Sequence, residues 1–226
     1  MAENHSPYYD KDEVRQAALT GSHREVIGGL WDEIGDLQIN FLKENGLSTD
    51  SRLLDIGCGS LRLGVRAVEF LDAENYWGTD LNESLLDAGY EREIVANGLQ
   101  AKISRANLIT DTDFQFTNVP TNIDIAIAQS VFTHLPLNHF RLCLANLAKH
   151  VTNNCTFFAT TFVVDEHKVS EPHTHERAGV QTFPHRDPFH YSISDLNHIV
   201  RDLPWEMEYI GDWGHPRDQK MVRFFK

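Results

Sequence analysis

The chain has few cysteines and no long apolar run, and each shortage excludes a class of protein. Its three cysteines, Cys58, Cys143 and Cys155, form no C-x-x-C pair. So sparse a set speaks against a disulfide framework and favours a reducing compartment. No apolar run reaches the roughly 18 residues that a membrane span requires, and the N-terminus lacks the basic start and apolar core of a signal peptide. We therefore expect a cytoplasmic protein with no membrane partner.

Basic residues are also scarce. The chain carries 20 Lys and Arg residues against 33 Asp and Glu residues, which gives a formal net charge of -13. Such a field repels a nucleic-acid backbone unless a local basic patch overrides it, and no stretch interleaves Lys or Arg with aromatic residues. Nucleic acid is therefore not an expected partner. A length of 226 residues suits a single domain spanning residues 1–226 better than two domains.

The most informative segment is LLDIGCGSLRLG at residues 53–64. Its first four residues read as the end of a buried strand, and they are followed by a turn containing Gly57 and Gly59. Glycine adopts backbone angles that other residues avoid and lets the main chain approach a ligand closely. A second short strand ends at Asp80, whose carboxylate is placed to accept both hydroxyls of a ribose. The pattern predicts a nucleoside-cofactor site.

The spacing of the glycines argues against a dinucleotide. The dinucleotide fingerprint is G-x-G-x-x-G, with the pyrophosphate at a helix N-terminus. Here Arg62 occupies the position of the third glycine, and the next glycine is Gly64. Asp55 would also place a carboxylate near the pyrophosphate, which is the wrong sign. A carboxylate at that position suits a cationic ligand better.

The D-x-G-x-G turn followed by a strand ending in Asp80 resembles motifs I and II of the class I S-adenosylmethionine-dependent methyltransferases. The resemblance implies S-adenosylmethionine as cofactor and S-adenosylhomocysteine as product. It also implies an α/β fold, a three-layer Rossmann-like sandwich. Its sheet would have seven strands, mostly parallel, and would end in a C-terminal antiparallel hairpin.

Strands and helices alternate along the rest of the chain, which favours a parallel, doubly wound sheet. Strands are predicted at 52–56, 76–79, 101–106, 123–128 and 156–164. The intervening helices are predicted at 61–70, 82–97 and 137–150. A helix capped by Ser194 and extending to about Leu203 should follow, and then two strands at 208–211 and 221–225, which resemble the family's terminal hairpin.

The N-terminal region divides into two parts. Residues 1–20 are polar, and we expect them to be partly mobile. Residues 21–46 are predicted to form one helix that starts with a capping box of Ser22 and Glu25. This helix is expected to pack on the sheet; covering the cofactor is the alternative role.

Ligands in open α/β sheets bind at the carboxyl ends of the strands, and this rule selects four loops. The candidate cofactor-binding residues in them are Asp55, Gly57, Cys58, Gly59, Ser60, Asp80, Leu81, Asn107, Leu108, Gln129 and Ser130. The resemblance implies that backbone N–H groups of the first loop hold the cofactor carboxylate, with Asp55 near the ammonium. It places Asp80 on the ribose, Leu81 against the adenine and Asn107 on the adenine amine. Cys58 is read as a small residue that fills the turn.

His134 is the candidate catalytic residue, because an imidazole titrates near neutral pH and can take a proton from the acceptor. The alternative is that it caps the next helix or only contacts the cofactor. Methyl transfer from a sulfonium is an in-line displacement that alignment alone can promote.

Residues 165–192 form a His- and Pro-rich connection too long for a plain loop. Its histidines have no recognised ligand spacing, so no metal is expected. We interpret the segment as a lid or wall of the acceptor pocket, with Phe183, Phe189 and Tyr191 contributing.

The sequence thus predicts a methyltransferase that acts on a small-molecule acceptor. The alternatives are a cofactor-binding protein without catalysis, an NAD-dependent oxidoreductase and a protein methyltransferase. The sequence after the fourth strand is Ala128-Gln129-Ser130-Val131 rather than Asn-Pro-Pro-Tyr, which disfavours methylation of nucleobases or glutamine amides. Neither the acceptor atom nor the oligomeric state has a signature in the sequence.

Overall fold

A sheet of eight strands, seven in one continuous order and a short eighth beside them, organises the computed structural model, which describes residues 7–226. The strand order is β3-β2-β1-β4-β5-β10-β9. The strands are β1 (Leu53–Ile56), β2 (Tyr76–Asp80), β3 (Leu108–Thr110), β4 (Ile123–Ala128), β5 (Val151–Val163), β9 (Glu206–Asp212) and β10 (Lys220–Phe225). The first five are parallel, and β10 runs antiparallel to both β5 and β9. The predicted Rossmann-like topology with a C-terminal antiparallel hairpin is confirmed.

Helices cover both faces of this sheet. They are α1 (Lys11–Thr20), α2 (His23–Val26), α3 (Trp31–Glu44), α4 (Gly64–Phe70), α5 (Glu83–Gly89), α6 (Leu137–Leu147) and α7 (Ile193–Ile199). One apolar core lies between the sheet and α6 and α7. The other lies between the opposite face and α3, α4 and α5. The three layers follow from burial of an apolar stripe on each helix against an apolar sheet face. No helix within residues 7–226 is long and apolar enough to cross a membrane.

The central strands follow directly from their composition. In β1 all four residues are buried, and β4 has five of its six residues buried. Continuous apolar runs of this kind are typical of parallel strands covered on both faces. For that reason the fourth strand has the bounds that the sequence predicts.

The third strand was misplaced by the sequence prediction. Residues 101–106 form no strand; Ile103 is a buried residue of a loop, and one turn of 3₁₀-helix covers Arg105–Asn107. The strand is β3, at Leu108–Thr110, which pairs in parallel with Gly78–Asp80 of β2. A three-residue strand carries too short an apolar pattern to be located from sequence.

The predicted helix at residues 21–46 is two helices. Gly28 and Gly29 have positive φ, and Leu30 is left-handed, which separates α2 from α3. Ser22 makes no side-chain capping hydrogen bond among the described residues, so the predicted capping box is wrong. Two consecutive glycines lower helix propensity enough to explain the break.

Residues 7–30, which precede α3, are folded onto the body of the protein. Helix α1 is capped by Asp10, whose carboxylate accepts the N–H of Glu13 at 3.0 Å, and it packs against α5. The expected mobility therefore does not extend to residues 11–20, while residues 1–6 lie outside the described part. We term residues 7–30 the N-terminal cover, because they lie over the pocket described below.

The segment between β5 and α7 is also ordered into secondary structure. It contains a hairpin of β6 (His173–His175) and β7 (Val180–Thr182), and a short β8 (His190–Tyr191) that extends the sheet beside β5. Helix α7 begins two residues earlier than predicted. Its N-cap is Ser192, which forms a capping box with Asp195; the predicted cap at Ser194 is wrong.

Candidate active site

A pocket opens at the carboxyl ends of β1, β2, β3 and β4. Of the predicted cofactor-binding residues, those lining it are Asp55, Gly57, Cys58, Gly59, Asp80, Leu81, Gln129 and Ser130. His134 lines it as well. Residues that the sequence analysis did not select also line it, among them Tyr8, Tyr9, Ile27, Gln38, Arg62, Asp111, Thr112 and Phe114. The N-terminal cover thus closes the pocket that the four loops form.

The glycine turn after β1 is held by its own backbone. Gly57 has φ +70°, and a Cβ built on it would lie 2.4 Å from Val131 Cγ2. The N–H groups of Gly57 and Cys58 both donate to Thr79 O, at 2.7 and 3.0 Å. The Gly59 N–H donates to Asp80. The expectation that these N–H groups are available for a carboxylate is therefore wrong for all three residues.

Asp80 ties the two motif loops together. Its Oδ2 accepts the Gly59 N–H at 2.9 Å, and its Oδ1 accepts the Asn82 N–H at 2.8 Å. Burial raises the pKa of Asp80 to about 6, against the opposing effect of these backbone hydrogen bonds. Each carboxylate oxygen keeps a second lone pair, so the group can still accept hydroxyl hydrogens from the pocket.

Asp55 lies deeper, beneath the turn. Its Oδ2 accepts a hydrogen bond from the Tyr76 hydroxyl at 2.8 Å. Burial raises the pKa of Asp55 to about 7, and the Tyr76 hydrogen bond and the charge of Arg62 only partly offset that rise. A cationic group bound beside Asp55 would favour the ionised carboxylate.

Cys58 fills the turn, as the sequence analysis expected. A Cβ on Gly78 would lie 2.8 Å from its Sγ, so β2 packs directly against the thiol. Burial raises the pKa of Cys58 well above its ordinary value. A thiol that resists ionisation is a poor nucleophile.

Three predicted site residues lie outside the pocket. Ser60 is fully buried, and its hydroxyl donates to His23 O at 3.0 Å, which anchors the N-terminal cover. Asn107 precedes β3, and its side-chain amide donates to Glu74 Oε2 and to Tyr76 O. Leu108 packs in the core between the sheet and α3–α5. Because β3 starts later than predicted, Asp111, Thr112 and Phe114 occupy the place assigned to Asn107 and Leu108.

Gln129 and Ser130, after β4, belong to a buried polar network. Gln129 Oε1 accepts a hydrogen bond from Arg62 Nη2 at 2.6 Å, and its amide nitrogen lies 3.2 Å from His215 Nε2. The Ser130 N–H donates to Thr160 Oγ1 at 2.8 Å, and the Ser130 hydroxyl donates to Gln219 Oε1 at 2.9 Å. These bonds fix both side chains at the pocket wall, since a buried polar group without a partner is destabilising.

His134 stands at the pocket wall with a carboxylate behind it. Its Nδ1 lies 2.7 Å from Asp187 Oδ1, and the edge of its ring faces Tyr8 with centroids 5.2 Å apart. Asp187 is well buried, with 11% of its side chain exposed. A carboxylate that accepts the Nδ1 proton leaves the Nε2 lone pair free to accept another proton.

Comparison with known proteins identifies a protein family whose model matches the part of the chain that carries this site. The model of the methyltransferase domain family matches residues 54–157, which run from β1 to β5 and include both motif loops. Residues 54–157 therefore form a methyltransferase domain, and the chain has the fold of S-adenosylmethionine-dependent methyltransferases.

Solved methyltransferases share the fold over nearly the whole chain. Magnesium protoporphyrin IX methyltransferase from Synechocystis PCC 6803, solved with bound S-adenosylmethionine, superposes with a TM-score of 0.63 at 14% identity, covering 96% of this chain and 97% of that one. An S-adenosylmethionine-dependent methyltransferase from Clostridium acetobutylicum ATCC 824 gives 0.63 at 12% identity, covering 93% and 98%. At such identities the likeness concerns the fold.

In the chain, residues 165–192 do not form the predicted lid. Phe183, Phe189 and Tyr191 are not among the residues that line the pocket; Tyr191 is part of the core on the α6 and α7 side. The segment contributes to the site through Asp187. No cluster of three or more His, Cys, Asp or Glu side chains in the described part of the chain could hold a metal ion.

The histidines of this segment have a packing role. His190 Nδ1 lies 2.8 Å from Thr182 Oγ1, which lies 3.0 Å from His175 Nε2. The chain of contacts joins β6, β7 and β8. Burial lowers the pKa of His175 to about 4 and also lowers the pKa of His190. Both rings are therefore neutral in the folded protein at neutral pH.

We expect His175 to make the stability of the protein depend on pH. The unfolded chain binds a proton at about pH 6.5, before the folded chain does, so the free energy of unfolding should fall as pH drops from about 6.5 to about 4. The slope from one such group is at most about 1.4 kcal/mol per pH unit. Urea unfolding between pH 7.5 and pH 5 should be less pH-dependent in His175→Gln than in the wild type. The exposed His198 provides the control variant, His198→Gln, and an unchanged slope in His175→Gln would contradict the prediction.

Some of the pocket residues that the sequence analysis missed could have been recognised from the sequence, and others could not. Arg62 could have been, because a basic residue between Leu61 and Leu63 interrupts an otherwise apolar turn. Tyr8 and Tyr9 could not, since nothing in the nearby sequence indicates that this segment folds over a pocket formed more than forty residues later.

Proposed function

We propose that the chain transfers a methyl group from S-adenosylmethionine to a small-molecule acceptor. The observation that carries the proposal is the joined pair of motif loops, in which the Asp80 carboxylate bonds to Gly59 while facing the pocket. S-adenosylmethionine, when bound, supplies a methyl group on a sulfonium sulfur. The bound cofactor in the Synechocystis structure supports the choice, as does a second structure of that protein with S-adenosylhomocysteine. Nothing observed favours NAD.

The pocket residues fit the parts of this cofactor. Asp80 accepts the two ribose hydroxyls, and Leu81 and Phe114 offer apolar surface for the adenine. Asp111 cannot serve freely as the adenine acceptor, because its carboxylate already accepts three backbone N–H groups of its own loop. Thr112 is left as the polar group at that end. Asp55 and Gln129 face the methionine end.

His134 is proposed as the general base. With the Nδ1 proton held by Asp187, Nε2 would accept the proton of an acceptor hydroxyl or ammonium. The deprotonated oxygen or nitrogen could then bond to the methyl carbon, with S-adenosylhomocysteine as the leaving group. Tyr8 and His134 restrict the acceptor to one side of the pocket. The close approach of the N-terminal cover favours a small molecule over a protein side chain as the acceptor.

Two broader proposals accompany this one. Residues 7–226 share one sheet with a core on each face, which supports a single domain. The three cysteines are free and buried, which supports work in a reducing compartment such as the cytoplasm.

The test is calorimetric titration with S-adenosylhomocysteine and, separately, with NAD. Saturable binding of the first and none of the second is the expected result; the reverse would refute the cofactor assignment. Transfer of labelled methyl from S-adenosylmethionine to a panel of hydroxyl-, amine- and thiol-bearing small molecules then distinguishes an enzyme from a cofactor-binding protein without catalysis.

Replacing His134 should separate catalysis from binding. With any acceptor found in that panel, His134→Gln is expected to lower kcat by about 10²–10⁴-fold, the usual contribution of a general base. The affinity for S-adenosylhomocysteine should change little. Asp187→Asn should give a smaller loss of kcat and shift its pH profile, because the amide cannot hold the imidazole in the same tautomer. Equal loss of cofactor affinity in both variants would instead assign His134 to binding.

A further inference from the structure

The pocket contains a buried guanidinium that forms no ion pair with any described carboxylate, although Asp55 lines the same pocket. Arg62 is 7% exposed and lies three residues after Gly59. Its Nη1 donates to Gly29 O at 2.9 Å and its Nη2 to Gln129 Oε1 at 2.6 Å. Both partners are neutral. The buried Nε has no hydrogen-bond partner, and no described carboxylate lies within ion-pair distance of the guanidinium.

Such an arrangement is unfavourable in the absence of a ligand. A buried charge is stable only when it is paired or fully hydrogen-bonded. Burial, together with the neighbouring charge of Arg217, lowers the pKa of Arg62 to about 10, and the charges of Tyr8 and Asp55 offset only part of that decrease. The guanidinium is nevertheless charged at neutral pH. In a chain with a net charge of -13, this pocket wall is locally positive.

The backbone of the turn cannot replace Arg62 as an anion donor. Thr79 O takes the N–H groups of Gly57 and Cys58, and the Asp80 carboxylate takes that of Gly59. A ligand carboxylate at this end of the pocket must therefore find its donors among side chains. Arg62 is the cationic side chain among the residues described as lining the pocket.

The groups around Arg62 complete a site for an amino acid. Gln38 also lines the pocket, and its buried Oε1 has no partner among the described residues. Asp55 Oδ2 is bonded to Tyr76, which leaves Oδ1 for a ligand. An ammonium group needs acceptors of this kind, while the adjacent carboxylate needs Arg62.

We propose that Arg62 binds the carboxylate of a pocket ligand. That carboxylate belongs either to the methionine part of the cofactor, in which case the inference rests on the proposed function, or to an acidic acceptor. Gln38 and Asp55 favour the first source, because they supply the ammonium acceptors of an α-amino acid. The guanidinium is suited to the task, since its planar donors bind a carboxylate in bidentate fashion.

The experiment uses two nucleosides that differ in the amino-acid part. S-adenosylhomocysteine carries the carboxylate and the ammonium, and 5′-methylthioadenosine carries neither. Arg62→Met should weaken the binding of S-adenosylhomocysteine by about 30–100-fold, as expected for the loss of a charge-assisted pair. The affinity for 5′-methylthioadenosine should change less than about threefold. Arg66→Met is the matched control: Arg66 lies one turn further on and bonds to Asp32 and Asp36, so neither affinity should change.

The second arm tests an acidic acceptor. Acetate, benzoate and phenylacetate are added to the protein, with and without S-adenosylhomocysteine, and the melting temperature is measured. A shift present in the wild type and lost in Arg62→Met, with unchanged nucleoside affinities, assigns the carboxylate to the acceptor. If Arg62→Met alters neither arm, the proposal is wrong. Failure of wild-type protein to bind either nucleoside refutes the cofactor assignment alone, because the carboxylate arm still tests Arg62.

Folding is checked by circular dichroism on every variant. Should Arg62→Met not fold, Arg62→Lys decides the matter, because lysine keeps the charge but not the planar fork. The Arg62→Lys change should weaken the binding of S-adenosylhomocysteine by about 5–10-fold and leave the binding of 5′-methylthioadenosine unaffected. Equal weakening of both nucleosides would show a structural role and overturn the proposal.

Discussion

Asp80→Ala is expected to weaken S-adenosylhomocysteine binding by at least about 100-fold. A hydrogen bond to a charged group contributes about 1.5–3 kcal/mol, and each 1.4 kcal/mol is a factor of about ten in affinity. The carboxylate is proposed to accept two ribose hydroxyls, and it also bonds to the backbone of Gly59 and Asn82. Its removal therefore takes away ligand contacts and loosens the turn at once. Calorimetry measures the loss.

Asp124→Ala provides the control for this variant. Asp124 is also an aspartate that accepts a backbone N–H, from Arg52 at 3.0 Å, but it lies at the amino end of β4. Its replacement should leave nucleoside affinity within about twofold, because binding occurs at the opposite end of the strands. Similar affinities for wild type and Asp80→Ala would remove Asp80 from the cofactor site.

Gly57→Ala is expected to lower the free energy of unfolding by about 2–5 kcal/mol. A left-handed conformation costs a residue with a side chain about 1–2 kcal/mol, and overpacking a filled site adds about 1–3 kcal/mol. Both apply here, because φ is +70° and the added Cβ would lie 2.4 Å from Val131. Urea unfolding measures the loss, and cofactor affinity should fall with it.

Two further variants divide this effect into its parts. Gly98 has φ +72° with nothing within 4 Å of a built Cβ, so Gly98→Ala should show the conformational part alone, about 1–2 kcal/mol. Adding Val131→Ala to Gly57→Ala relieves the clash and should recover part of the stability. Equal losses in Gly57→Ala and Gly98→Ala would show that the contact with Val131 has no effect.

The sequence was sufficient to predict the structure where a local residue pattern coincides with burial of the same residues. The apolar strands β1 and β4, the glycine turn and Asp80 are specified by residues adjacent in the chain, and they are found where predicted. These features define the family, so the fold and the cofactor end of the site could be predicted together.

Prediction failed where position depends on distant parts of the chain. Asn107 was assigned to the pocket because a short strand was placed several residues too early. Asp187 becomes a partner of His134 only through a connection of more than fifty residues between them. Tyr8 reaches the pocket because α1 docks on α5, which no periodicity in residues 1–20 reveals.

The hydrogen bonds that hold the N-terminal cover lead to a consequence for ligand exchange. The Ser60 hydroxyl donates to His23 O after β1, and the Asn82 amide donates to Tyr8 O after β2. The same two loops carry the glycine turn and Asp80. We therefore expect a ligand that orders these loops also to stabilise the N-terminal cover, and thermodynamic coupling of this kind is reciprocal. Nucleoside binding should then reduce the protease sensitivity of residues 7–30, which would report pocket occupancy.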